Sequence, residues 1–109
     1  MPERCSWCGV AVGPDAGYRA GEEPGGRRAV FCRLEHAVPW ALRGPRWEAG
    51  EIAEPEARAD ELQECAHCGE TLGESRVLLV RHRGPHRIPD AFCSLDHMAA
   101  WARAGGRWR

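Results

Sequence analysis

The chain has 109 residues, among them 6 Cys, 5 His, 5 Trp and 13 Gly, is 43% hydrophobic and carries a formal charge of −1. A near-neutral balance argues against a nucleic-acid binder that works by broad electrostatic attraction, which needs a clear basic excess. No stretch approaches the roughly 20 apolar residues of a membrane span, so no membrane partner is expected.

The first element is "CSWCG" at 5–9, a CxxCG knuckle. A tight turn of this kind places two thiolates on one ion, and the glycine permits the positive φ that turns amides toward the sulfurs. Residues 9–31 follow, where "YRA" and "RAVF" flank the turn-rich "GEEPGG" and predict a β-hairpin. "FCRLEHAVPWA" at 31–41 then predicts a helix with Cys32, His36 and Trp40 along one stripe. Residues four apart on a helix lie about 40° apart around its axis, close enough to grip one ion. Trp40 is expected to act as an aromatic lid over that ion. Pro39 removes a backbone hydrogen bond within this helix, which is expected to kink or to be shorter than its twin.

After "GPRW" at 44–47 comes "EAGEIAEPEARADELQE" at 48–64, with seven acids against Arg58, net −6. It reads as a solvated tether or short helix. The flanking segments are basic by contrast, +2 over residues 1–47 and +3 over residues 65–109, and every basic residue in the chain is arginine.

Then the pattern returns. "CAHCG" at 65–69 repeats the knuckle, "VLLV" at 77–80 and "AF" at 91–92 bracket the turn-forming "RGPH" at 83–86, and "FCSLDHMAAWA" at 92–102 repeats the helix. Cys5, Cys8 and Gly9 map onto Cys65, Cys68 and Gly69; Cys32, His36, Trp40 and Trp47 map onto Cys93, His97, Trp101 and Trp108. This is duplication of one supersecondary unit. The expected architecture is a small, metal-stapled α+β protein: two tandem treble-clef lobes of knuckle, hairpin and helix, at 1–47 and 65–109, joined by the acidic linker at 48–64.

Each lobe is smaller than the roughly 70 residues below which a hydrophobic core needs a staple. Three cysteines cannot pair within a lobe, whereas three cysteines and a histidine complete a tetrahedral zinc set. The expected ligands are Cys5, Cys8, Cys32 and His36 on one Zn2+, and Cys65, Cys68, Cys93 and His97 on a second. A cross-braced arrangement, with the four knuckle cysteines on one ion, is the alternative that duplication disfavours. With local sites, loss of one ion is expected to unfold mainly its own lobe.

"CAHCGE" followed by "FCSLDH" resembles the FCS, MYM and TRASH type of small treble-clef zinc finger, where a CxxC knuckle precedes an aromatic-Cys-Ser helix start. The same residues are similar to those of the short zinc-bound gyrase-inhibitor proteins of bacteria, which combine CxxCG, FCS and a following Trp-Ala. The resemblance implies metal binding. The histidine as fourth ligand, the "FCR" of the first copy and the duplication itself depart from those patterns.

His67, His82 and His86 have no counterparts in the first copy and read as exposed loop residues; Trp7, the counterpart of His67, reads as a partly exposed cover. Glu35 and Asp96 read as first-turn acids that satisfy the helix N-termini. A catalytic zinc keeps an open position, whereas each lobe offers four closed-site ligands and no adjacent general base, so no catalytic residue and no enzymatic activity are expected. The amino terminus, "MPERCSWCGV", lacks the apolar run of a secretory signal, which with the reduced thiols points to a cytoplasmic setting. The expected role is a zinc-binding adaptor or regulator with a protein partner. The alternative is nucleic-acid binding through Arg46, Trp47, Arg107, Trp108 and Arg109, and the third reading is metal sensing or trafficking.

Overall fold

The computed structural model describes residues 3–23, 26–50, 52 and 63–106. Most of the acidic linker, and Arg107, Trp108 and Arg109 of the second "GGRWR", lie outside the described residues.

A two-residue strand pair, β1 (Glu3–Arg4) and β2 (Ala11–Val12), brackets the first knuckle and pairs antiparallel. The first hairpin is β3 (Tyr18–Glu23) with β4 (Arg27–Phe31). A 3-10 turn, Leu34–His36, leads into α1 (Ala37–Leu42), and β5 (Glu48–Ala49) pairs with the start of β4. The second unit repeats this order: a Glu64 to Thr71 bridge around its knuckle, a hairpin of β6 (Arg76–Arg83) and β7 (His86–Phe92), then α2 (Leu95–Arg103). Both expected hairpins form where the apolar runs and turn residues place them.

The two hairpins are joined in one five-stranded sheet of order β5-β4-β3-β6-β7. Equivalent strands meet edge to edge, because β3 and β6 are the first strands of their hairpins and pair antiparallel from Tyr18 opposite Arg81 to Glu23 opposite Arg76. Tyr18 and Val77 are equivalent positions, each lying opposite the phenylalanine before the third cysteine, Phe31 and Phe92 respectively. By the same register Ala20 is equivalent to Leu79, and these two are paired with each other. The units are therefore related by a pseudo-twofold axis through that pair, and helices α1 and α2 also pack together. A sheet shared by both units couples them, which changes the expectation that each unfolds on its own.

One core serves both halves. Residues opposite each other in register share a sheet face, so Phe31, Ala29, Ala20, Leu79, Val77 and Phe92 form one row pattern, all buried. Trp40 meets Phe31 edge-on at 5.1 Å, and Trp101 meets Phe92 at 5.2 Å. These contacts place both tryptophans in the core, where the sequence suggested lids over the ions. Trp47 extends the first cluster, edge-on to Trp40 at 4.9 Å. Gly106, at φ 58, closes the far end of α2 against the other unit: an added Cβ would collide with the Leu34 side chain. Ile52 lies against Gly21 on the opposite sheet face.

The helices differ as Pro39 predicts. α1 has 6 residues and α2 has 9. Pro39 sits in the first turn of α1, where a missing N–H is tolerated, and the preceding turn is 3-10. Ser94 caps α2, its hydroxyl accepting from the His97 amide at 3.2 Å, whereas Arg33 at the equivalent position supplies no side-chain cap.

Candidate metal centres

Each knuckle is closed by its own backbone. The Gly9 N–H donates to the Cys5 carbonyl at 2.9 Å and the Cys5 N–H to the Val10 carbonyl at 2.8 Å; Gly69 to Cys65 and Cys65 to Glu70 repeat these, both at 2.9 Å. Gly9 and Gly69 have φ of 80° and 76°, the left-handed conformation the CxxCG pattern anticipates. The knuckle is then fastened to the hairpin. The Ser6 N–H donates to the Val30 carbonyl at 2.6 Å, and the Ala66 N–H to the Ala91 carbonyl at 2.9 Å. Val30 and Ala91 lie two residues before Cys32 and Cys93, so this bond brings the third cysteine of each set beside the first two.

The third ligands do not lie on the helices. Cys32 and Cys93 follow β4 and β7 directly, in the bend before the helix, and Ser94 is still extended at φ −156, ψ 165. The expected helical stripe is corrected accordingly: a strand end supplies the cysteine and the first helical turn the histidine. A residue before the cap cannot share the α-helical 3.6-residue spacing, so it is the sharp entry turn that brings Cys and His together.

The eight expected residues fall into two local sets of four, Cys5, Cys8, Cys32, His36 and Cys65, Cys68, Cys93, His97, with ligand atoms within 4.8 Å of one another in each set. No cross-braced set occurs among the described residues. Both histidines turn Nδ1 toward the sulfurs. In the first set Cys5 Sγ lies 3.6 Å from His36 Nδ1, Cys8 Sγ 3.6 Å from Cys32 Sγ, and Cys32 Sγ 3.3 Å from His36 Nδ1. In the second the corresponding distances are 3.7, 3.8 and 2.7 Å. Bonds of about 2.3 Å to sulfur and about 2.0 Å to nitrogen set tetrahedral ligands about 3.5–3.8 Å apart. Four of the six distances fall in that range, and the two Cys-to-His edges across the entry turn, at 3.3 and 2.7 Å, are shorter.

The electrostatics ask for a cation. Burial raises the Cys5 thiol, but the Cys8, Cys32 and Trp7 amides and the His36 side chain outweigh it and leave Cys5 at about 6. Cys65 is likewise at about 6, burial being outweighed by the Cys68, Cys93 and His67 amides and His97. Cys32 and Cys93 are pushed up to about 11, by burial and then by the neighbouring sulfurs. Each set therefore accepts one negative charge readily and resists another. A divalent ion at the centre removes that resistance.

Several other residues are placed differently from the sequence reading. His82 is buried on β6, its Nδ1 2.8 Å from the Pro14 carbonyl oxygen, which corrects its reading as an exposed loop residue. Burial, ahead of the charges of Arg19 and Arg87, lowers its pKa. His86 and His67 are exposed, but the His67 ring meets the His97 ring at 5.1 Å, tilted by 59°. Trp7 is partly exposed as expected, with the Arg43 guanidinium 5.8 Å from its ring. Glu35 and Asp96 occupy first helical turns.

Sequence reading passed over Arg19, which is buried and fully engaged. It donates to Glu3 at 2.9 and 3.3 Å, to the Gly13 carbonyl at 3.0 Å and to the Ala16 carbonyl. Glu3 also pairs with Arg28. Nothing in the local pattern marks Arg19: it alternates with Ala20 along β3 and so lies on the sheet face opposite the phenylalanine row, the face of Gly21 and Ile52. It fixes the loop that reaches across to the second unit, where the His82 N–H donates to the Gly17 carbonyl at 2.9 Å and the Gly84 N–H to the Asp15 carbonyl at 3.0 Å.

Fold and sites together define a compact α+β chain which, among the described residues, has antiparallel sheets, two helices and two Cys3His groups able to hold metal ions. No helix among the described residues is long and apolar enough to cross a membrane. Comparison with protein-family models, with curated proteins and with solved structures finds no match.

Proposed function

We propose that the chain is a non-catalytic zinc protein whose two ions are structural, and that it serves as an adaptor or regulator by binding a protein partner, in a cytoplasmic setting. Two four-ligand sets, each with its donor atoms within 4.8 Å of one another, carry the zinc reading. Three thiolates and an imidazole suit zinc above harder cations, and four protein ligands leave no position for substrate. The knuckle, hairpin and helix order of each unit supports the treble-clef reading and the likeness to FCS-type fingers. When bound, each ion neutralises its thiolates and ties a knuckle to a strand end and a helix start.

The adaptor reading rests on a difference between the copies. Trp7, Val10 and Leu42 are 40, 50 and 64% exposed. Their counterparts in the second unit are His67, Glu70 and Arg103, all polar. Large apolar side chains held in water on one copy alone suit a protein contact, with Trp and Arg as anchors.

Nucleic-acid binding is less well supported. Trp47 is occupied by Trp40 and by the Arg27 guanidinium, 5.5 Å from its ring, and so is poorly placed to stack on a base. Metal trafficking would need readier exchange than a closed set allows. Crosslinking of zinc-loaded protein in its native lysate, followed by nuclease or protease treatment of the adducts, tests the choice. Protease-sensitive adducts lost on Trp7→Ser with Leu42→Ser support the adaptor; nuclease-sensitive ones contradict it.

A further inference from the structure

Beside the first metal centre a cleft of about 450 Å³ opens between residues 15–18, 32–35 and 81–84, so that both units build it. Arg33, Arg81 and Arg83 line it, with Tyr18 and Leu34 as apolar wall. The ion pairs among the described residues join Arg19 and Arg28 to Glu3, Arg27 to Glu22 and Arg87 to Asp15. None of the cleft arginines is among them. Arg81 lies 6.0 Å from the Tyr18 ring, a contact that orients the guanidinium without neutralising it. Of the two acids in the lining, Asp15 is engaged by Arg87 at 3.0 Å, leaving Glu35 alone against three cations.

The pseudo-twofold supplies an internal comparison. Arg81 lies opposite Tyr18 as Glu22 lies opposite Val77, so Arg81 and Glu22 are equivalent positions. Arg33 follows the third cysteine of its unit as Ser94 follows Cys93. The same fold therefore closes its other flank with a glutamate and a serine, and neither arginine is required for the architecture. Arg33 even forgoes the cap that Ser94 provides. Arginines that the scaffold does not need, gathered around an open cleft without an ion-pair partner among the described residues, are arranged to receive an anion.

We infer that this cleft is the docking site for an acidic segment of a protein partner, with carboxylates on Arg33, Arg81 and Arg83 and a neighbouring apolar side chain against Tyr18 and Leu34. The inference rests on the adaptor reading and names the chemistry of its partner.

The test uses the full zinc-loaded chain, isotope-labelled for amide NMR, and a capped hexapeptide of alternating leucine and glutamate. Saturable shifts confined to residues 15–18, 32–35 and 81–84, weakening as salt is raised, are expected. Arg33→Ser with Arg81→Glu, each the residue of the equivalent position, should weaken binding by about tenfold or more, with zinc content and unfolding temperature retained. Should that pair fold poorly, Arg83→Ser reads out the same loss. Shifts centred elsewhere, equal binding of the glutamine analogue, or inorganic phosphate binding as tightly as the peptide would overturn the assignment. A cellular protein captured equally by wild type and variant would also overturn it while leaving the adaptor reading intact. Peptide binding in the cleft with no protein captured would do the reverse.

Discussion

Ala20 and Leu79, equivalent residues of the two copies, lie directly opposite each other at the centre of the shared sheet, and both are fully buried. A small side chain faces a large one across the axis that relates the units. Leu79→Ala is expected to cost about 2–5 kcal/mol through the cavity it leaves, and Ala20→Leu about 1–3 kcal/mol through overpacking. Made together, the two exchange volumes across the axis and should cost less than the sum of the single changes. Denaturant unfolding of the four proteins checks this.

The shared sheet also governs what loss of one ion does. Structural zinc contributes on the order of 10 kcal/mol to small domains, and β3 has β6 as its partner along its whole length. His97→Ala is therefore expected to lower amide protection in β3 as well as in β6 and β7. Hydrogen exchange measures it. Full protection retained in β3 would mean that the first unit stands alone.

The metal sets were legible in the sequence because CxxCG and the Cys-x3-His spacing recur in register, and spacing is all that a local site requires. The hairpins were legible for a similar reason: "VLLV" and "RAVF" are apolar runs between turn residues. The union of the hairpins was not. Edge-to-edge pairing of β3 with β6 depends on the register of equivalent strands, which local patterns do not encode. The entry turn at Cys32 and Cys93 was misread as helix because Cys, His and Trp at intervals of four imitate helical spacing, while Ser94 stays extended to cap its helix. His82 reads as exposed, and Arg19 carries no signal at all, because the burial of both comes from the loop at 13–17 packing across the units, a tertiary effect.

The copies also differ in their caps. Ser94→Ala removes the bond to the His97 amide and should cost about 1 kcal/mol. Thermal unfolding with parallel metal analysis checks it: zinc content is expected to hold while the midpoint falls. Loss of one zinc would mean that the cap positions the histidine and does more than close the helix.

Asp90 gives a pH signature. Burial raises its carboxyl to about 6, above its ordinary value of 3.8. The folded chain thus holds a proton there that the unfolded chain has lost. Its contribution to stability is present in full below the ordinary value and disappears as pH rises through about 6. Asp90→Asn should therefore stabilise the chain at neutral pH and flatten the dependence between about pH 4 and 6 relative to wild type. Urea unfolding across that range, with both proteins at equal zinc saturation, measures the difference. Equal slopes would show the carboxyl to be hydrated.

The central claim is two structural zinc ions, one on Cys5, Cys8, Cys32 and His36, the other on Cys65, Cys68, Cys93 and His97. Native mass spectrometry of chain purified without chelator tests it most directly. Two bound zinc ions are predicted, falling to one on either His36→Ala or His97→Ala. A single zinc in the unaltered chain, or a metal-free mass with the six cysteines oxidised in pairs, would contradict it.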